Sequence, residues 1–471
     1  MPLVKVNVWW NKTLYKDIEL DLDSPVDHFR VQLFSLSSVL PEKQKIICKG
    51  RMLKDEEWDD FKSLLVPDCK LLMIGSATEF NAATTPAPSS PENVVFIEDL
   101  PADDQPGEDL PPGLMNIDNT CYLNSVVQVL FSMSELVEAL MQFEGSAEDS
   151  DQQMALTSAL RDAFRTMKSS KNSVHLYDLS RVLRRHFAQF NERRNNRYVH
   201  QSADEVWVQL TWCLKKLPKI VDSPDSGDNG LSQLLEGTLT STIRCLEPIE
   251  EEPTFQKEPF FLLECNIEGK MNYLYQGLKL GLEQELTKNS PTLCRDANYS
   301  KVSRISKLPY YLVIHFLRFY WKQEVKGGAG KRTKILRPIE FPFDLDMYEF
   351  CTDELKEKVS AKREQVYAYE ANNGSGDVEV TQAPLQNETC FYELSAVITH
   401  KGRESDSGHY VAWVREEGVD DWISYNDEKT SKVGQEDIRK LMGKGGSDWH
   451  LATLCLYRTK QYPLVKKKTQ S

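Results

Sequence analysis

The sequence predicts an α+β protein of two folding units, a small mixed domain followed by a much larger one. The chain runs to 471 residues, about three times a typical single-domain length. Near its start, apolar residues alternate in short runs, as in strands. Beyond residue 113 the apolar spacing is first helical and later alternating, so helices come before a sheet. An apolar share of 40%, with nine Trp, supplies packed cores and excludes a wholly disordered chain.

Val4, Val6 and Val8 alternate with polar residues, and Ile18, Leu20 and Leu22 do so again after a polar turn, which predicts a hairpin. Ser24 is placed to cap a helix carrying Val26, Phe29, Leu33 and Leu36 on one face, and residues 44–48 and 71–74 read as further strands. Residues 77–112 hold seven of the 22 prolines together with an acidic run, a composition that buries too little surface to fold alone and so predicts a linker. The large unit spans 113–460, with helices expected over 121–141, 154–167 and 204–217 and strands over 391–400, 410–415 and 422–425. A basic tail, 461–471, follows.

Fifty-seven basic against 71 acidic side chains leave a net charge of -14, which repels nucleic-acid backbones and anionic membranes, so neither is an expected partner. No apolar run approaches the roughly 18 to 20 residues of a membrane span, and the first residues read as a strand and not a signal peptide. An intracellular address is expected. The ten cysteines include no C-x-x-C pair, so reduced thiols are expected, with no zinc framework, no metal and no cofactor. Gly327-Gly328-Ala329-Gly330-Lys331 fails as a phosphate loop, because Val325 and Arg332 stand where that motif needs Gly and Ser or Thr.

The stretch GLMNIDNTCYLNS, from Gly113, sets Cys121 at the first turn of a helix that buries Leu123, Val126, Val127 and Leu130. Backbone N–H groups and the macrodipole there favour an anion, which makes Cys121 the candidate nucleophile. Asn116, five residues upstream, is placed to donate to a developing oxyanion.

Such a nucleophile needs a general base, and His409 stands at a loop mouth where a strand begins. If strands 410–415 and 422–425 pair antiparallel, His409 shares one sheet end with Asn426 and Asp427, either of which can orient the imidazole. His400 is the rival, with nothing polar placed to orient it. His315 reads as a core histidine.

Two resemblances follow from these residues. Residues 1–76, with Gln44-Lys45-Ile46-Ile47-Cys48-Lys49-Gly50-Arg51, resemble a ubiquitin-like β-grasp domain lacking the terminal Gly-Gly needed for conjugation; the resemblance puts Ile47 in a receptor-binding patch. Residues 113–125 resemble the Cys box of ubiquitin-specific proteases, and residues 392–427 their His box. Residues 201–205, 308–319 and 341–346 are similar to intermediate elements of that family, and the domain order to its proteasome-associated branch. The resemblance implies a papain-like thumb, palm and fingers fold that hydrolyses the bond after ubiquitin's C-terminal glycine. It further implies ubiquitin, ubiquitinated proteins and, through residues 1–76, the 26S proteasome regulatory particle as partners, and a cytoplasmic and nuclear location. Asp118 stands where the family has Gly, Ser202 where it has Asp, and the zinc pairs are missing, so Cys245 and Cys265 read as core thiols. A silent ubiquitin-binding factor is the alternative reading.

Overall fold

The computed structural model describes most of residues 3–74 and then 110–222, 227–247, 251–269, 271–322, 331–371, 383–402, 407–416, 421–443 and 449–462. Leu22, Ser24, Leu36, most of the expected linker and all of the basic tail beyond residue 462 lie outside the described residues. The chain divides into two compact units, Met1–Asn93 and Val94–Ser471.

In the first unit, β1 (Leu3–Trp10) and β2 (Thr13–Asp21) form the expected antiparallel hairpin. The sheet continues through β3 (Lys45–Cys48), β4 (Arg51–Met52) and β5 (Cys69–Ile74) in the order β2-β1-β5-β3-β4, with β1 parallel to β5. Val26, Phe29 and Leu33 are buried with Val6, Val8, Ile18 and Leu20 in one core, as their i, i+3, i+7 spacing requires. Arg30 and Gln44 exchange hydrogen bonds with each other's carbonyls, both at 2.9 Å, which pins the helical segment to the start of β3.

The second unit begins with helices α1 (Cys121–Phe131), α2 (Ser134–Gln142), α3 (Gln152–Ser169), α4 (Tyr177–His186) and α5 (Ala203–Cys213). The single helix expected over 121–141 is two, bent by 93° at the break. Ser132 Oγ donates to the Val129 carbonyl there, and the turn buries both Met133 and Leu136. Asp151 caps α3 through the N–H groups of Gln153 and Met154. Between α4 and α5 lies a two-strand hairpin, β6 (Arg193–Arg194) and β7 (Arg197–Tyr198).

A four-stranded sheet, order β11-β12-β8-β9, is built from β8 (Gly237–Cys245), β9 (Thr254–Phe260), β11 (Glu283–Ser290) and β12 (Arg295–Lys307). β9, at the edge of the sheet, is exposed at six of its seven residues, so this edge faces solvent. The main sheet has eight strands. Seven run in the order β10 (Leu263–Cys265), β13 (Tyr311–Phe316), β21 (Leu451–Thr459), β17 (Phe391–Lys401), β18 (His409–Arg415), β19 (Trp422–Asn426), β20 (Lys429–Val433). β16 (Asp344–Asp346) pairs with β17, while β14 (Phe319–Lys322) and β15 (Lys331–Lys334) make a separate ribbon.

Both faces of the main sheet are buried, and the period-2 alternation of side chains sorts residues between two cores. Ala396, Ile398, Tyr410 and Ala412 face the helical core, whereas Val397, Val411 and Trp413 face a second core with Leu274, Phe341 and Leu355, and the register shift between Leu394 and Ala396 puts Leu394 in that second core too. α1 is buried from Cys121 to Leu130 and packs on β18 and β19. A helix buried on all sides sits only inside such a core, its polar Asn124, Ser125 and Gln128 each hydrogen-bonded, and that fixes its first residue against the His409 end of the sheet. Among the described residues no single helix is long and apolar enough to cross a membrane. All ten cysteines are free; Cys265 is buried as expected, but Cys245 is half-buried at the margin of the four-stranded sheet.

Candidate active site

The segment before α1 is threaded between two partners. Leu114 N–H donates to the Asp427 carbonyl at 2.8 Å, and Met115 N–H to the Val174 carbonyl at 2.9 Å. Gly113 approaches the 427–428 backbone so closely that a Cβ would lie 2.4 Å from the Glu428 oxygen, which excludes any side chain. Next, Thr120 N–H donates to Asn116 Oδ1 at 3.1 Å and Ile117 N–H to Thr120 Oγ1 at 3.0 Å, closing a tight loop. Asp118 and Asn119 take left-handed φ of 68° and 60°, a region that Asp and Asn enter more readily than most residues. This conformation accommodates Asp118 at the position where the resemblance puts Gly. Its carboxylate accepts from Tyr198 N–H at 3.1 Å, and Asn119 Nδ2 donates to the Tyr198 carbonyl at 2.9 Å, tying the loop to β7.

Cys121 is the first residue of α1, as expected, but it is only 2% exposed. Burial pushes its thiol up to about 12, assisted by the Asp427 charge and opposed by the backbone N–H groups of Tyr410, Tyr122 and Cys121 itself. The sequence expectation of a stabilised thiolate fails in this conformation, because desolvation outweighs the helix-end dipole. Its Sγ lies 3.3 Å from His200 Nε2.

β18 and β19 pair antiparallel with Ala412 opposite Tyr425, so His409 and Asn426 do share one sheet end. His409 Nε2 is 2.5 Å from Asn426 Oδ1 and 4.0 Å from Asp427 Oδ2. An amide oxygen only accepts, so Nε2 carries the proton and Nδ1 is left as the basic nitrogen. Asp427, at φ 53° and 8% exposed, turns back toward the Cys121 loop. Its Oδ2 accepts from Asn116 Nδ2 and its Oδ1 from Asn124 Nδ2, both at 2.8 Å. Burial still holds its carboxyl above the ordinary range, with the two amides pulling it down. Sequence positions 116, 121, 124, 409, 426 and 427 therefore converge.

His400 does not lack orienting groups, contrary to the sequence reading. Lys334 Nζ donates to its Nδ1 at 3.0 Å, and Nε2 donates to the Ser407 carbonyl at 3.2 Å. Fully buried, it is held down to about 2, burial being the main cause and the Lys334 charge the next. Both nitrogens are spent on structure, which removes it as a base by a route the sequence did not show. His315 is only partly buried, with Nε2 3.8 Å from Asp204 Oδ2. Ser202 keeps a contact at its position: it is buried and its Oγ shares a 3.2 Å hydrogen bond with Tyr410 OH.

Residues 112–457 match the model of the ubiquitin carboxyl-terminal hydrolase family, which is well over half of the chain. The chain belongs to this family. Ubiquitin carboxyl-terminal hydrolase 7 of Arabidopsis thaliana is 36% identical over 491 residues, spanning 97% of this chain and 99% of the relative. Ubiquitin carboxyl-terminal hydrolase 6 of Schizosaccharomyces pombe is 32% identical over 496 residues, spanning 97% and 99%. Ubiquitin carboxyl-terminal hydrolase 14 of Caenorhabditis elegans is 32% identical over 497 residues, spanning 98% and 95%. The hydrolase is thus a member of a thiol-protease family along nearly its whole length.

Two residues of the hydrolase's site escaped the sequence reading. Asn124 falls within the Cys box with no role assigned to it, yet a polar amide on a largely apolar, buried helix has to find a partner, and that is its signal. His200 gave none: it reaches Cys121 from 79 positions away through a loop of no regular pattern.

Proposed function

We propose that this hydrolase cleaves the bond between ubiquitin's C-terminal glycine and an amine, with Cys121 as nucleophile and His409 as base. Cys121 sulfur loses its proton to His409 Nδ1 and attacks the carbonyl; the imidazolium then protonates the leaving amine. Water, deprotonated by His409, releases ubiquitin from the thioester. Asn426 orients the imidazole, and Asn116, whose bond to Asp427 uses one of its two amide N–H groups, supplies an oxyanion donor with the Cys121 N–H. Asp427 locks the Cys121 loop onto the His409 strand end.

The observation that carries this reading is the Asp427 carboxylate, which binds Asn116 and Asn124 on the nucleophile side and stands 4.0 Å from His409 on the base side. Release of a fluorophore from the C terminus of ubiquitin tests it. Full activity in the unaltered chain and none in Cys121→Ala or His409→Ala is expected; activity retained in Cys121→Ala would refute it.

Residues 1–76 are the docking segment in this proposal, taking the chain to the proteasome regulatory particle in cytoplasm and nucleus, where it trims and recycles ubiquitin. The five-stranded sheet with a parallel β1 and β5 pair supports a ubiquitin-like reading of that segment. Deleting it is expected to abolish co-sedimentation with proteasomes and leave ubiquitin binding intact. A second reading, a ubiquitin-binding factor with a silent site, is favoured by one observation, the burial of Cys121, which pushes its thiol up to about 12. Hydrolysis that stays undetectable with proteasomes present selects that reading.

A further inference from the structure

His200 is held in place from two directions. The residue two positions before it, Tyr198, is tied to the Cys121 loop by Asp118 and Asn119 at 3.1 and 2.9 Å. The His200 ring stacks on Tyr410, with centroids 5.6 Å apart and planes at 14°, and meets Tyr122 and His400 edge-on at 6.2 and 6.3 Å. Those three ring contacts, with Tyr198 anchored two positions before, leave the imidazole little freedom, and they aim Nε2 at the Cys121 sulfur, 3.3 Å away. Which atom donates depends on the His200 tautomer; a neutral thiol is a better donor than acceptor, and S–H donating to an unprotonated Nε2, with the ring proton on Nδ1, is the arrangement that suits it. Meanwhile His409 is engaged with Asn426.

We propose that His200 is a positioning residue that accepts the Cys121 S–H and holds the sulfur in a resting orientation, which it leaves to meet His409. The inference rests on Cys121 being the nucleophile. The proton stays on sulfur while His200 holds it; on exchange the S–H bond breaks and the proton passes to His409 Nδ1, giving thiolate and imidazolium, while His200 remains neutral. His200 thereby competes with the catalytic base for the same sulfur and sets how much of the free enzyme is reactive.

Nitrogen-15 spectra of the histidine rings in the unaltered full chain read the His200 tautomer directly. The Nδ1-protonated form is expected, and an Nε2-protonated ring overturns the proposal. His200→Phe keeps a flat ring against Tyr410 but removes the acceptor. Alkylation of Cys121 by chloroacetamide, followed by peptide mass, is expected to speed up about two- to tenfold in that variant, the range one hydrogen bond covers. His200→Gln, whose amide oxygen can accept, is expected to return the rate toward the unaltered value. An unchanged or slower rate in His200→Phe overturns the proposal. Failure of a ubiquitin C-terminal electrophile to label Cys121 in the unaltered chain, with the tautomer as expected, instead removes the nucleophile assignment on which the proposal stands.

Discussion

Asn116 donates to Asp427 at 2.8 Å across 311 sequence positions, so the loop that presents the nucleophile is fastened to the turn that follows the base-bearing hairpin. Asn124 fastens the other carboxylate oxygen from within α1. Replacing Asp427 by Ala strands the buried Asn124 amide, releases the exposed Asn116 amide to water and unties the loop. A stability loss of about 1.5 to 3 kcal/mol is expected, most of it from the buried Asn124 bond, and urea unfolding checks it. Asp427→Asn keeps the shape but sets one of its own N–H groups against the donors, and is expected to recover only part of the loss.

Asn426 binds the protonated nitrogen of His409, and its loss frees the ring to flip. Asn426→Ala is expected to lower kcat about a hundredfold or more, within the range general-base catalysis supplies, with KM for ubiquitin little changed. Asn426→Asp, which still accepts from Nε2, is expected to retain most of the activity. Steady-state hydrolysis of a ubiquitin C-terminal amide separates the two variants.

Gly408 precedes His409 at φ 115°, and a Cβ there would lie 2.3 Å from the Lys401 carbonyl and 2.6 Å from His400 Nε2. Both the conformation and the space exclude a side chain. Gly408→Ala is expected to destabilise the chain by about 2 kcal/mol or more and to lower kcat, as His409 shifts off Asn426. Thermal unfolding and turnover, measured together, test this.

Two buried rings make the fold sensitive to acid. His400 and His450 are held down to about 2 and about 3, chiefly by burial, against an ordinary value of 6.5. Below pH 6.5 the unfolded chain binds protons that the folded chain refuses, so their contribution to stability is whole above 6.5 and is lost as pH falls toward 3. At pH 5 the loss is about 2 kcal/mol for each ring, at 1.36 kcal/mol per pH unit. Urea midpoints at pH 7.5, 6 and 5 are expected to fall accordingly, with a shallower fall in His400→Gln.

Local pattern carried much of the architecture. The alternating run after His409 and the polar turn before Trp422 specified an antiparallel pair, and topology alone then put His409 beside Asn426. The helical spacing after Cys121 specified α1, but not the 93° bend at Ser132, where a side chain returns to its own helix's carbonyl. Ionisation was least legible. The dipole that favours a thiolate at Cys121 is set by residues next to it in sequence, whereas the burial that reverses it comes from β18 and the residues around His200. His400 shows the same division, since the Lys334 that orients it lies 66 positions away.

The central claim is that Cys121 is the sulfur that attacks ubiquitin's C terminus with His409 as its base. Incubating the full chain, with and without proteasomes, with ubiquitin carrying a C-terminal electrophile and mapping the adduct by peptide mass tests it most directly. One ubiquitin bound at Cys121, formed far more slowly in His409→Ala, is the expected result; an adduct on another cysteine, or none under either condition, contradicts the account.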